Sequence, residues 1–225
     1  MAGLQIAIDG PAASGKSTVA RLVAARLGGS YINTGDMYRT VTRAALDAGL
    51  DPDAQPDAVV ALLAGLDLRY RLVDGVPVLH LNDQPVAQEG IRAPEVARQV
   101  SFVARIPGVR DWLRERQRET RTLGTIVMEG RDIGTVILPD ASHKFFITAS
   151  PEERARRRLA QAGEVADGAT LASVAAEIAE RDRIDSTRAV APLRPAADAV
   201  HLHTDALTAD QVADRIIACV RGGEA

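Results

Sequence analysis

Residues 4–18 read LQIAIDGPAASGKST. The first five form a short apolar run, which predicts a buried β-strand. A loop of glycine and other small residues follows at once, and apolar residues then recur at helical spacing from Val19 until Gly28 and Gly29 end the pattern. The stretch therefore predicts a strand, a tight loop and a helix in direct succession.

The loop matches the phosphate-binding pattern G-x-x-x-x-G-K-S. Its glycines let several backbone N–H groups turn toward one anion, and the positive end of the following helix faces the same point. Lys16 can reach the outer phosphates, and the Ser17 hydroxyl can ligate Mg²⁺. The candidate triphosphate-binding residues are Gly10, Pro11, Ala12, Ala13, Ser14, Gly15, Lys16, Ser17 and Thr18, and Ser17 is the candidate metal ligand.

The composition limits the class of protein. The chain has 225 residues, a formal net charge of -3 and 46% apolar residues, which fits one domain or one domain with a modest insertion. The small net charge argues against a nucleic-acid binder. Cys219 is the single cysteine, so an internal disulfide framework is excluded, and no stretch approaches the roughly 20 apolar residues of a membrane span. No signal-peptide pattern opens the chain, and we expect a cytoplasmic protein.

Short apolar strands alternate with helical segments along most of the chain. The strands are expected at residues 4–8, 30–33, 125–128, 144–148 and 199–203. Strands that alternate with helices predict an α/β fold, with a parallel sheet of about five strands and helices on both faces.

The segment 63–105 has a different character. Apolar and polar residues alternate on both sides of Asp74-Gly75, which predicts a β-hairpin. Pro77 predicts that the second strand of this hairpin lies at an edge. We therefore expect a core of residues 1–62 and 106–225, interrupted by an inserted region at 63–105.

The phosphate-binding loop indicates a nucleoside triphosphate but does not fix the reaction. A small-molecule kinase, a GTPase switch and a larger motor or ATPase domain all contain it. A GTPase needs a guanine-reading segment of the type Asn-Lys-x-Asp, and neither of the two lysines, Lys16 and Lys144, has that setting. A motor usually needs a longer chain, so a small-molecule kinase is favoured.

Three clusters are candidates for the acceptor side. Residues 33–39 combine a predicted helix start with Arg39, which suits a second phosphate site, although an ordinary helix start capped by Thr34 or Asp36 also fits. Residues 129–135 follow a buried strand, where open parallel sheets bind ligands, although a solvated loop also fits. Residues 181–188 place two arginines and an aspartate on one helix face, which is equally compatible with a surface ion pair.

A fourth group consists of Arg154, Arg156, Arg157 and Arg158 on one predicted helix. Such a run is usually a solvated helix face. In phosphoryl transfer, however, mobile arginines can stabilise the charge that spreads over the moving group. Because Pro151 and Gly163 flank the helix, we expect a hinged lid at residues 151–168.

Taken together, these residues resemble the bacterial-type cytidylate kinases, a family of P-loop nucleoside monophosphate kinases. The resemblance is carried by residues 8–18, 34–39, 91–92, 95–96, 100–101, 107, 109–110, 117–118, 130–135 and 181–193. Many families share the phosphate-binding loop, whereas Gly-Arg-Asp-Ile-Gly-Thr at 130–135 combined with the insertion is far more specific. The segment 63–105 resembles the inserted region with which that family binds a nucleoside monophosphate.

The resemblance implies that ATP phosphorylates CMP and dCMP, with Mg²⁺ as cofactor, in a monomeric protein. It implies catalytic roles for Lys16, Arg131, Arg156, Arg157 and Arg158. The CMP-binding residues that it implies are Ser101, Arg110, Asp132 and Arg188 around the cytosine, Arg181 and Asp185 near the sugar, and Thr34, Arg39 and Arg131 beside the acceptor phosphate.

The chemistry of the acceptor agrees with these roles. Cytosine carries an exocyclic amine that a carboxylate such as Asp132 can accept from, whereas uracil would present an oxygen to it. The acceptor phosphate has a second pKa of about 6, by analogy with phosphorylated side chains, so no strong general base is needed. The four histidines fall in or beside predicted strands, and we interpret them as structural.

Two departures from the family pattern and two alternatives remain. Glu129 stands where the family more often has aspartate, and Ser186 and Thr187 replace more polar or basic residues. An adenylate kinase has an acceptor loop similar to residues 34–37, although the insertion and residues 130–132 argue against it. The other alternative is a nucleotide-binding switch without catalysis.

Overall fold

The protein is described by a computed structural model that covers residues 3–161, 165–166 and 168–222. Part of the predicted lid, residues 162–164 and 167, lies outside the described residues. The strands are β1 (Gln5–Asp9), β2 (Ser30–Asn33), β3 (Leu68–Val73), β4 (Val76–Leu81), β5 (Gln84–Pro85), β6 (Ile126–Gly130), β7 (His143–Thr148) and β8 (Val200–His203).

The helices alternate with the strands of the core. They are α1 (Lys16–Leu27), α2 (Thr34–Asp47), α3 (Pro56–Leu62), α4 (Gln88–Arg92), α5 (Pro94–Arg105), α6 (Pro107–Glu119), α7 (Pro151–Leu159), α8 (Leu171–Thr187) and α9 (Ala209–Val220). Short 3₁₀ segments follow α3 and α6, and a π-helical turn, Ile133–Ile137, follows β6.

Among the described residues, five strands form a parallel sheet in the order β2-β6-β1-β7-β8. The predicted sheet of about five parallel strands is therefore confirmed. Because every strand runs in the same direction, the ends of β1, β2 and β6 meet at one edge of the sheet, where such folds bind ligands.

Helices cover both faces of this sheet, which is why central strands such as β1 and β6 contain short apolar runs. On one face, Ile8 packs with Val23 of α1 and Ile216 of α9. On the other face, Met128 packs with Ile133 of the π-helical turn. No helix in the described part of the chain is both long and apolar enough to cross a membrane.

The predicted hairpin is present as β3 and β4, which pair antiparallel and belong to a second sheet of order β3-β4-β5. Asp74 and Gly75 have positive φ angles of 51° and 79°, as a two-residue turn of this hand requires. The prediction that Pro77 places β4 at an edge is wrong, because β4 lies between β3 and β5. Pro77 is nevertheless tolerated, since β5 pairs only with His80 and Leu81.

The segment 63–105 packs on the helices around it. Leu68 and Leu79 of the hairpin and Val100 of α5 share one hydrophobic cluster with Met37 of α2 and Leu113 of α6. Two short elements, α4 and β5, were not predicted. The division of the chain at 63 and 105 stays a prediction.

The phosphate-binding loop starts in close contact with the neighbouring strand. A Cβ atom on Gly10 would lie 2.0 Å from the backbone oxygen of Ile147 in β7, and the φ angle of Gly10 is +152°. Ala13 and Gly15 also have positive φ angles, and α1 begins at Lys16. The loop therefore depends on glycine at position 10, because no side chain fits between β1 and β7 there.

Candidate active site

A cavity of about 460 Å³ opens at the carboxyl edge of the parallel sheet. The phosphate-binding loop lies on one side of it, and residues from α2, α5, β6, α7 and α8 line the rest. The residues predicted from sequence that line it are Ala12, Ala13, Ser14, Gly15, Lys16, Ser17, Thr18, Thr34, Arg39, Ser101, Arg131, Asp132, Arg157, Arg158, Arg181, Asp185 and Arg188.

Lys16, the first residue of α1, is buried, and its side chain folds back onto the phosphate-binding loop. Its Nζ atom donates to the backbone oxygen of Pro11 at 2.6 Å and to Ser14 Oγ at 3.3 Å. Burial, and after it the positive charge of Arg131, lower the pKa of Lys16 to about 7. An added anion in the loop would favour the charged form of this lysine.

The three lid arginines of α7 point in different directions. Arg157 donates to the backbone oxygen of Ser14 at 3.2 Å and to Thr204 Oγ1 at 2.9 Å. It therefore joins the phosphate-binding loop to the residue that follows β8. Arg158 lines the cavity. Arg156 pairs with Glu152 and Glu153 on the exposed side of α7, and the structure does not bring it into the cavity.

The start of α2 forms the next wall. Asn33, and not Thr34 or Asp36, caps this helix, because its side chain accepts from the backbone N–H of Asp36 at 3.2 Å. Thr34 Oγ1 donates to the backbone oxygen of Glu129 at 2.8 Å, which joins α2 to the end of β6. Arg39 is buried and donates to the backbone oxygen of Ile91 at 3.0 Å.

Asp132 lies buried between two arginines. Its Oδ2 accepts from Arg110 at 2.5 Å, and its Oδ1 accepts from Arg188 at 3.3 Å. Arg110 is fixed further by the backbone oxygen of Ala104, and Arg188 by that of Ala191. Arg110 does not itself line the cavity, but it holds the carboxylate that does. Ser101 lies on the α5 side of the same cavity.

Positive charge is concentrated in the centre of the cavity. Arg131 pairs with Asp185 at 3.0 Å. Arg181 is half-buried, its buried Nε donates no hydrogen bond to any described residue, and burial together with Arg131 and Arg39 lowers its pKa to about 9. Although burial raises the pKa of Asp185, the surrounding arginines outweigh that effect and lower it. Converging guanidinium groups of this kind suit a phosphate.

Some residues at the site carry no signal strong enough to assign them a role from sequence. Asp9, at the end of β1, accepts from the backbone N–H groups of Ile133 and Gly134 at 2.8 Å each. It therefore ties the start of the phosphate-binding loop to the turn that follows Asp132. Glu129 is buried and accepts from Tyr31 Oη at 2.6 Å.

Tyr38 is a further residue that sequence reasoning did not single out. It lines the cavity from α2, and the guanidinium carbon of Arg110 lies 5.6 Å from the centre of its ring. Burial raises the pKa of Tyr38 to about 12, so the ring stays neutral beside the cation. Its position three residues before Val41, within the apolar stripe of α2, looks like an ordinary core position in the sequence.

The parallel sheet, the phosphate-binding loop after β1 and the arginines across the cavity define a P-loop kinase. A solved shikimate kinase from Bacteroides thetaiotaomicron has a related fold, with a TM-score of 0.51 and 12% identity over 97% of this chain and 98% of that one. The family model described as Cytidylate kinase matches residues 6–222, and the chain belongs to the cytidylate kinase family.

Curated relatives agree with this membership. A protein named cytidylate kinase from Pelotomaculum thermopropionicum is 48% identical over 222 residues, which is 97% of this chain and 96% of that protein. Another of the same name from Limosilactobacillus fermentum is 49% identical over 215 residues, or 95% and 94% of the two chains. The family that the sequence resembles is thus confirmed.

The environment of Asp9 predicts an unusual dependence of stability on pH. Burial raises its pKa from 3.8 to about 6, although its two N–H donors lower it. A raised folded-state pKa gives stability that is present below pH 4 and is lost as the pH rises through 6. The free energy of unfolding of the wild type, relative to Asp9→Asn, should therefore fall by about 2 kcal/mol between pH 4 and 7.

Urea unfolding followed by circular dichroism at several pH values measures this difference. Asparagine at position 9 also accepts one hydrogen bond fewer, which changes the free energy of unfolding by an amount that does not vary with pH. Asp198→Asn is the control, because Asp198 is exposed and its partner Lys144 lowers its pKa, so any pH effect has the opposite sign. A difference between wild type and Asp9→Asn that stays flat would contradict the raised pKa.

Proposed function

We propose that the protein transfers the γ-phosphoryl group of ATP to CMP and dCMP, giving ADP and CDP or dCDP. The observation that carries the proposal is the carboxylate of Asp132, which Arg110 and Arg188 hold at the wall of the same cavity that contains the phosphate-binding loop. A carboxylate that can bind the base and a loop that can bind a triphosphate lie in one cavity. This arrangement suits direct phosphoryl transfer between two nucleotides.

The carboxylate explains the choice of base. Each oxygen of Asp132 accepts from one arginine and keeps a lone pair, because a carboxylate oxygen has more than one acceptor site. The exocyclic amine of cytosine can donate to such a lone pair, whereas the oxygen at that position of uracil would face a negative charge. The two arginines fix the orientation of the carboxylate before the substrate binds.

The acceptor phosphate has a place between Arg39, Arg131 and Arg181. Burial, and after it the positive charges of Arg131 and Arg39, lower the pKa of Arg181, so these cations repel one another. A phosphate would relieve this repulsion and accept hydrogen bonds from the guanidinium groups. Asp185 lies beside the same arginines, where it can accept from a sugar hydroxyl.

The reaction needs positioning more than proton transfer. The second pKa of the acceptor phosphate is about 6, so its oxygen is already a nucleophile at neutral pH. The described histidines lie in strands and none lines the cavity. Lys16, Arg157 and Arg158 lie on the donor side, where they can stabilise the charge that develops on the transferred group.

The donor side also fits Mg²⁺. Mg²⁺ usually takes few protein ligands and completes its shell with phosphate oxygens and water. The Ser17 hydroxyl lies in the first turn of α1 and lines the cavity, so Ser17 would hold the ion together with the donor phosphates. When bound, the ion neutralises charge on those phosphates.

We also propose that residues 63–105 form the region that closes over CMP, and that α7 belongs to a lid over the donor. Arg156 can act on the transferred group only if this lid rotates it inward from Glu152 and Glu153. We retain the predictions that the protein is a cytoplasmic monomer and does not bind nucleic acid.

A panel of acceptors tests the proposed function. ADP release from ATP should be fast with CMP and dCMP, and slow with UMP, AMP and GMP, because uracil has no amine to donate and the larger purines carry theirs at a different distance from the sugar. A coupled assay with each monophosphate measures the rates. AMP or UMP as the best acceptor would refute the assignment of substrate, and no stimulation by any monophosphate would indicate a switch.

Asp132→Asn tests the base reader. We expect kcat/KM for CMP to fall by about 10- to 100-fold, which corresponds to the roughly 1–3 kcal/mol of one well-made base contact. The ratio of CMP to UMP use should also fall, because an amide can donate to the uracil oxygen. The KM for ATP should change little. Asp140→Asn, an exposed neighbour, is the control, and unchanged CMP kinetics in Asp132→Asn would contradict the role.

The two lysines offer a matched pair for the donor side. Lys16→Ala should lower kcat by at least about 100-fold with every acceptor, because it removes a buried charge from the cradle. Lys144→Ala breaks the ion pair with exposed Asp198, at 2.8 Å, and should leave kcat near that of the wild type. Equal losses in the two variants would show that Lys16 has no special place in catalysis.

A further inference from the structure

A three-way contact joins the phosphate-binding loop to α7 and α8. Asp182 Oδ1 accepts from the backbone N–H of Ala12 at 3.1 Å, and Arg154 Nη1 donates to the backbone oxygen of Ala12 at 3.2 Å. Arg154 and Asp182 also form an ion pair with each other. The backbone N–H and C=O groups of Ala12 are thus bound by the two members of the Arg154–Asp182 ion pair.

The contact is well enclosed. The side chains of Arg154 and Asp182 are only 10% and 18% exposed, and Arg154 Nε donates in addition to the backbone oxygen of Ala149, beyond the end of β7. A small hydrophobic cluster that includes Ala12, Ala155 and Ile178 lies beside it. An ion pair with little access to solvent is screened weakly, so its geometry is held firmly.

Each member of this pair lies on a helix that also lines the active-site cavity. On α8, Asp182 lies between Arg181 and Asp185, the residues of the acceptor side. On α7, Arg154 precedes Arg157 by three residues, a spacing that places both on one side of the helix. In the loop, Ala12 precedes Ala13, whose φ angle of 57° sets the bend of the cradle.

We propose that Arg154 and Asp182 are positioning residues that couple the ATP side of the cavity to the CMP side. ATP fixes the backbone of the phosphate-binding loop, and through Ala12 and Asp182 this fixes α8 with Arg181 and Asp185. CMP acts along the same contacts in the reverse direction, since coupling between two ligands is reciprocal. This inference rests on the proposed donor and acceptor sites.

The experiment measures the dissociation constant of CMP by calorimetry, with and without a non-hydrolysable ATP analogue and Mg²⁺. In the wild type the analogue should tighten CMP binding, by a factor in the usual range of roughly 5- to 150-fold. Asp182→Asn keeps the size of the side chain and an acceptor for Ala12, but it removes the charge that holds Arg154. The coupling factor is the ratio of the CMP dissociation constant without the analogue to that with it. We expect this factor to fall to about one, while CMP binding without the analogue changes little.

The steady-state kinetics give a second readout. Asp182→Asn should raise the KM for CMP at saturating ATP, while the KM measured at low ATP stays near that of the wild type. A general loss of stability would not produce this split, because it lowers the active fraction and leaves KM unchanged. Glu180→Gln is the matched control, because Glu180 lies on the same helix and pairs with Arg183 at the surface. This control should keep the wild-type coupling factor.

Arg154→Lys tests the pair from the other side and covers the case in which Asp182→Asn does not fold. Lysine keeps the charge but lacks the fork that reaches Ala12, Ala149 and Asp182 together, so the coupling factor should also fall. A wild-type factor of one, or a wild-type factor retained in either folded variant, would overturn the inference. Failure of the wild type to use CMP would instead refute the proposed function.

Discussion

The active site depends on holding several guanidinium groups around one cavity although they repel one another. Arg39, Arg131 and Arg181 converge where the cavity meets the sheet, and after burial the charges of Arg131 and Arg39 contribute to the lowered pKa of Arg181. The fold tolerates this repulsion because Asp185 and Asp132 are buried in the same region and pair with the surrounding arginines. A phosphate that bound between these arginines would add negative charge and hydrogen-bond acceptors to the cluster.

The parallel sheet makes this concentration of charge possible. It brings the ends of β1, β2 and β6 to one edge, so residues that are far apart in sequence meet there without a long loop. Asp9, at the end of β1, accepts from Ile133 in the turn that follows β6, over a sequence separation of 124 residues. Gly10 then lets the chain turn away against β7, where a side chain would collide with the backbone of Ile147. The cradle and the base reader are thus held by neighbouring strands.

The sequence predicts the parts of this structure that rest on local pattern. Short stretches rich in apolar residues predicted the five strands of the parallel sheet, and Asp74-Gly75 predicted the hairpin, because both signals lie within a few residues. The edge position inferred from Pro77 was wrong, since the unpredicted β5 is only two residues long and has no periodicity to detect. Asn33 was overlooked as the cap of α2 because Thr34 and Asp36 beside it are equally good capping types.

What local pattern could not reveal is the partner of each charge. Both Arg110–Asp132 and Arg154–Asp182 are arginine–aspartate pairs with little exposure, and nothing in the sequence distinguishes them. In the first pair the carboxylate lines the cavity, so its remaining lone pairs face a ligand. In the second pair one carboxylate oxygen accepts from the backbone of Ala12 and the other from Arg154. Under the proposed function, the same chemistry reads a base in one place and holds a loop in the other, and the direction of the remaining acceptor sites decides which.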